Sequence, residues 1–216
     1  MPTEQALKKD TKTAIMDAAE IVMAEHGVDG ATIRAIVGMA GANTAAIHYH
    51  FKSREGLIEA MIGRHGGSVS RRRSEMIAEF DRTNSASTPM DIVNILVDPF
   101  FELLEQKGEA GRRFLRFIAR LQFDRKNQSN STGLQVQEER KHYPEIRVRL
   151  SDMIGEACPE VSKVEQEQRL TMALDTMLQS LANAQFMTTE WTSDEQRTEL
   201  MCYAENLKTF LEAGLA

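Results

Sequence analysis

The residues best suited to chemistry are few, and they lie close together near the start of the chain. His48 and His50 are the pair most suggestive of a metal. Two apart on a helix, their imidazoles point in different directions, so the spacing opposes shared ligation. Cys158 and Cys202 are far apart and outside any Cys-x-x-Cys pattern, which reads as two ordinary reduced thiols. Glu138 and Glu139 read as a solvated helix face. The sequence contains no phosphate-cradling glycine loop, nucleophile elbow, dinucleotide fingerprint or His-Glu-x-x-His motif. The expectation is therefore no catalysis, no metal and no cofactor.

What remains is chemistry for gripping a polyanion. Three groups of positive residues stand out: Lys8, Lys9 and Lys12; Lys52 and Arg54; and Arg71, Arg72 and Arg73. The net charge of -6 argues against coating nucleic acid over the whole surface. It allows a local contact face, because counterion release depends on the charges near the phosphates. The triple arginine reads first as a salt-bridged surface, and the early lysines as either a phosphate-contacting arm or a disordered start. Between these groups lies the stretch 43–54. Asn43 and Thr44 stand at a helix start, where free amides favour phosphate. Ala45 is small enough to meet a thymine methyl, and His48 and Tyr49 can bond phosphate or base edges. Ile47 and Phe51, four apart, should anchor this helix inward, while Ala42 and Ala46 let it approach its neighbour.

Helical periodicity dominates, and no strand pattern stands out. A first helix is expected over about 11–26, with Ile15, Ala18, Ala19, Val22 and Met23 on one face and Gly27 ending it. Thr32 should cap a second helix over 33–40, and Gly41 should turn the chain into a third over 43–50. Lys52 and Ser53 should break that helix, with Ser53 capping a fourth. Gly66 and Gly67 are expected to interrupt or bend the fourth helix, and Pro99 to kink or split a helix over 90–106. Residues 83–89 read as a loop. Further helices are expected over 111–123, 144–157, 162–189 and 193–213, and a mobile stretch over 124–133. No apolar run approaches the roughly 20 residues that span a bilayer, and the start lacks a secretory apolar stretch. A soluble, cytoplasmic, all-α protein of about nine helices is expected, with no membrane partner.

The stretch from Thr32-Ile33-Arg34 through Asn43-Thr44-Ala45-Ala46-Ile47-His48-Tyr49-His50-Phe51-Lys52-Ser53-Arg54-Glu55-Gly56-Leu57 closely resembles the DNA-binding signature of the TetR (tetracycline repressor-like) family. The likeness covers roughly residues 11–64. It implies a helix-turn-helix DNA-binding domain over 1–64 and a helical effector-binding and dimerisation domain over 65–216. It implies a homodimeric, ligand-responsive regulator: a repressor that a small apolar effector releases from pseudo-palindromic double-stranded DNA. Contacts to DNA are then expected from Thr32, Arg34, Asn43, Thr44, Ala45, His48, Tyr49, His50, Lys52 and Arg54. Many relatives carry tyrosine where this chain has His48 and His50. An alternative on the same fold is a ligand-independent regulator or chromosome-organising protein. A helical interaction module without DNA, or an enzyme using a C-terminal cavity, are further alternatives.

Apolar stripes fill the second half. Phe100, Phe101, Leu104, Phe114, Phe117, Leu121, Met177 and Phe186 are the expected walls of an effector site, although core packing accounts for most such stripes. Leu170, Leu174, Met177, Leu178 and Leu181, with Leu200, Tyr203, Ala204, Leu207 and Leu211, are expected to pair with their twofold mates in a four-helix bundle. Burial inside one subunit is the competing expectation. Gly66 and Gly67 are candidates for an allosteric hinge.

Overall fold

The computed structural model describes residues 10–83, 85–127, 144–183 and 194–216. Among them lie nine helices and no strand: α1 Thr11–Gly30, α2 Ile33–Met39, α3 Thr44–Phe51, α4 Arg54–Asp81, α5 Pro89–Lys107, α6 Glu109–Asn127, α7 Pro144–Ala157, α8 Lys163–Asn183 and α9 Asp194–Leu215. The all-α expectation holds. Lys8, Lys9, Glu138, Glu139 and Phe186 lie outside the described residues.

The first three helices form where local chemistry directs. Ile15, Ala18, Ala19, Val22 and Met23 are buried along α1. Gly27 interrupts α1 with a left-handed φ of 76°, a conformation glycine adopts without a Cβ penalty. The hydroxyl of Thr32 accepts from the Ala35 amide at 3.2 Å, capping α2. Gly41 turns the chain at φ 63°, and the Asn43 carboxamide accepts from Ala46 at 3.0 Å to cap α3. Lys52 ends α3 at φ 71°, and the Ser53 hydroxyl accepts from Gly56 at 3.1 Å to open α4. Each cap satisfies an amide that has no partner inside its own helix.

Two expected breaks are absent. Helix α4 runs unbroken through Gly66 and Gly67. The packing does not require a glycine at 66: an added Cβ would stand 3.6 Å from Ile62 and 3.8 Å from Phe114 of α6, ordinary contact distances. Helix α5 likewise runs unsplit through Pro99. Proline supplies no N–H to its own turn. Arg73 of α4 donates to the Leu96 carbonyl in that turn at 2.8 Å, and its guanidinium lies over the Phe100 ring at 5.1 Å. A capping box between Thr88 and Asp91 fixes the start of α5. Residues 124–127 of the expected mobile stretch are the end of α6, and the remainder, 128–133, lies outside the described residues.

One apolar cluster extends from Ile15 of α1 to Leu215 of α9. Helix α1 lies against α6, and α4 against α5, so the first three helices sit on the body of the protein. Arg120 of α6 donates to the Glu25 carbonyl at 3.0 Å across that junction. The stripes assigned to a partner subunit are overturned. Leu170, Met177, Leu178, Leu181, Leu200, Ala204, Leu207 and Leu211 are buried within the single chain, with Leu174 and Tyr203 half-buried beside them. Helices α8 and α9 use these stripes against each other and against α6 and α5. The faces they leave outward carry Val164 and Met172 on α8, and Met201 and Phe210 on α9, all exposed.

Candidate nucleic-acid interface

Helix α3 is anchored by Ile47, fully buried, and Phe51, nearly so. At about 100° per residue this fixes which face turns outward. Thr44, Ala45, His48 and Tyr49 share that outer face and are exposed, and the side chain of Lys52 is exposed at its C-terminal end. Tyr49 is 76% exposed, a large cost for an aromatic ring that has no partner to meet. Arg34 on α2 and Thr32 at its cap are exposed too. The structure thus brings together Thr32, Arg34, Asn43, Thr44, Ala45, His48, Tyr49 and Lys52 as surface residues of two adjoining helices and their caps.

Two expected contacts are placed differently. His50 lies on the inner flank of α3, half-buried, with its ring 4.8 Å from that of Tyr49 in an edge-on arrangement and 6.1 Å from Phe51. It buttresses Tyr49 from behind. Arg54 is half-buried, and its guanidinium donates to the carbonyls of Val28 and Ala31, the latter at 3.2 Å. Those carbonyls end α1, so Arg54 ties the start of α4 to the α1–α2 corner. Both bonds come from the same terminal nitrogen of the guanidinium. The imidazole of His48 has its own local partner, with Nδ1 3.0 Å from the Lys52 carbonyl.

The electrostatics beneath this surface are set by α1 and α4. At the start of α4, the Glu55 carboxylate sits below its ordinary range, held by its own backbone N–H and by the Ser53 hydroxyl. Deeper, Glu20 of α1 is only 2% exposed. Its Oε1 is 3.1 Å from Arg64 Nη1 and 3.2 Å from His65 Nε2, and Arg64 also reaches Asp17 at 2.6 Å. Burial opposes the Arg64 charge, but the hydrogen bonds and charges of Asp17 and Glu20 outweigh it and raise its proton affinity. The His65 ring rests on Phe114 of α6, centroids 5.1 Å apart. No motif in the sequence marks this node. Its one signal is a glutamate set among the inward-facing Met16, Ala19 and Met23.

The residues expected to line an effector site converge. Phe100, Phe101 and Leu104 of α5, Phe114, Phe117 and Leu121 of α6, and Met177 of α8 are all buried in the common apolar cluster. An open depression of about 680 Å³ lies elsewhere, between α7 and α8, with Arg147, Glu167 and Met172 on its walls. Among the described residues no cluster of His, Cys, Asp and Glu has the makings of a metal site. No described helix is long and apolar enough to cross a membrane.

A capped pair of short helices, with the second presented outward on an all-helical body, defines a helix-turn-helix regulator. Comparison with known proteins narrows this. The family model for the tetracyclin repressor-like C-terminal domain matches residues 94–214, and that for bacterial regulatory proteins of the tetR family matches residues 15–61. The chain belongs to the TetR family of transcriptional regulators. Over 64 residues it is 36% identical to the HTH-type transcriptional repressor BepR of Brucella suis biovar 1 (strain 1330), a stretch that covers 30% of this chain and 31% of that repressor. The fatty acid degradation regulator FadR from Bacillus halodurans shares the fold at a TM-score of 0.60 and 22% identity, covering 96% of this chain and 97% of its own. SmeT, the repressor of the Stenotrophomonas maltophilia multidrug efflux pump SmeDEF, does so at 0.55 and 19%, covering 93% and 90%.

Proposed function

We propose that this regulator is a dimeric repressor that a small apolar effector releases from a pseudo-palindromic operator. The observation that carries the DNA half of this reading is the outer face of α3. Its side chains are small near the N-terminus and polar or aromatic further along, and Ile47 and Phe51 hold it rigidly from behind. Thr32, Arg34, Asn43, Thr44, Ala45, His48, Tyr49 and Lys52 are the proposed contacts. Arg54 and His50 support them from within the subunit. Two copies of α3 would enter successive major grooves about 34–36 Å apart, or a multiple of that.

The second copy covers the outward faces of α8 and α9, where Val164, Met172, Met201 and Phe210 are otherwise exposed. The proposed domain boundary, 1–64 and 65–216, falls inside α4. The proposed effector site is walled by Phe100, Phe101, Leu104, Phe114, Phe117, Leu121 and Met177, with Phe186 beyond the described residues. BepR and SmeT are named as repressors, and FadR as a regulator of fatty acid degradation, which makes acyl compounds the first effectors to try. The dense burial of the seven described residues favours a second reading: a ligand-independent DNA-binding protein on the same fold.

One experiment separates them. The full chain is used to select duplexes from a random library, and the enriched duplex is then titrated with acyl compounds of graded length. Release at micromolar compound supports the repressor reading. Enrichment with no release by any compound supports the second, and no enrichment removes both.

A further inference from the structure

We propose that His48 is a specificity-determining residue, one that accepts a hydrogen bond from an exocyclic base amino group and so selects adenine or cytosine. This rests on the DNA-binding reading above. The argument begins with the Lys52 carbonyl, which lies 3.0 Å from His48 Nδ1 where α3 ends at φ 71°. A carbonyl oxygen has lone pairs and no hydrogen. The shared proton must therefore sit on Nδ1, which fixes the neutral ring in one tautomer. Its other nitrogen, Nε2, is then an acceptor.

That assignment restricts what the ring can meet. Phosphate oxygens accept only, as do guanine O6 and N7 and thymine O4. The donors in the major groove are adenine N6 and cytosine N4. The neutral imidazole matches those two groups and no others there. Position agrees with chemistry. His48 stands one turn after Thr44 on the exposed face of α3, and the neighbouring Ala45 is too small to shield it. The bond to Lys52 also holds the ring in one rotamer, so less freedom is lost when a base is met. Phosphate grip is left to the free amides at the start of α3 and to the exposed cation of Lys52.

The test is base selection from a random duplex library by the full-length wild type, His48→Lys and His48→Gln, with sequencing of the bound pools. The wild type is expected to favour A or C over G or T by about fivefold at one symmetric pair of positions. His48→Lys presents donors only, so at that pair alone the preference should move to G or T. His48→Gln can turn its amide either way, so there the preference should flatten. Preferences unchanged in both variants overturn the proposal, as does a wild-type preference for G or T at the position that moves. If the wild type enriches no duplex, the DNA-binding reading falls with it. Imidazole ¹⁵N shifts of the wild type at neutral pH give a check independent of any variant. The Nδ1-protonated form is expected, and a ring protonated on Nε2 instead overturns the proposal.

Discussion

Removing the Glu20 carboxylate should loosen the seat of the DNA-binding helices by a measurable amount. The group is 2% exposed and lies between Arg64, at 3.1 Å, and His65, at 3.2 Å. Breaking a fully buried ion pair from one side costs about 3–5 kcal/mol, because the other charge is left without compensation. Two features bring Glu20→Ala below that range. The Arg64 side chain is 30% exposed and keeps Asp17 at 2.6 Å, so its share falls toward the ~1 kcal/mol of a surface pair. The approach of His65 Nε2 to the carboxylate is not a hydrogen bond, so little is lost there. The side-chain stem lost from a buried site adds a cavity term of order 1 kcal/mol. The sum is about 2 kcal/mol, or roughly 4–8 °C in Tm for a chain of this size. Asp17→Ala removes only the partly exposed contact and should cost about 1 kcal/mol. Thermal and urea unfolding followed by circular dichroism, at one fixed protein concentration, reads both. If Glu20→Ala unfolds within 2 °C of the wild type, or no lower than Asp17→Ala, the node bears no strain at that junction and the reasoning fails.

Further expectations follow from single contacts. Lys52→Ala should weaken operator binding and lower the salt slope by about one unit, whereas Arg54→Ala should weaken binding with the slope unchanged and destabilise the N-terminal helices. Equal slope changes from both variants would restore Arg54 as a phosphate contact. Phe210→Glu, which puts a charge on an exposed apolar position of α9, should shift the sedimenting mass from dimer to monomer without lowering helicity. A dimer that persists at low micromolar concentration would place the interface elsewhere. Gly66→Ala should stabilise α4 by about 0.5–1 kcal/mol, since its Cβ meets Ile62 and Phe114 at ordinary contact distances. A loss of stability would contradict the unstrained contacts seen there.

Features governed by chemistry within a few residues were legible in the sequence. The caps at Thr32, Asn43 and Ser53, and the turn at Gly41, depend on one side chain or one φ value. The anchors Ile47 and Phe51 followed from periodicity alone. Features decided by another helix were not legible. Glycines at 66 and 67 and proline at 99 lower helix propensity, yet α6 and Arg73 lie against those positions and the helices continue. Periodicity also located the apolar stripes of α8 and α9 without saying what covers them, because an apolar face looks alike whether its neighbour is α5, α6 or a second subunit. Arg54 shows the same limit for charge. A guanidinium beside a lysine reads as a phosphate clamp until two carbonyls of α1 are found within its reach.

The unbroken α4 constrains how a signal travels under the proposed reading. A hinge at residues 66 and 67 would let the effector region move while the DNA-binding helices stayed still. A stiff, continuous helix would oppose that decoupling. Its 28 residues span about 42 Å at 1.5 Å each. A tilt of about 5° about one end then displaces the other by about 3.7 Å, roughly one base-pair step, given 10 base pairs per 34 Å. Phe114 packs on His65 of α4, and His65 lies 3.2 Å from Glu20 of α1. A ligand pressing on Phe114 would therefore push on α4 and α1 together. Recognition helices in two subunits must match groove spacing simultaneously, so a rigid tilt of a few degrees in each is large enough to lose the match. Under that reading a long stiff lever with a buried polar fulcrum would do this work, and flexible glycines would only absorb the motion.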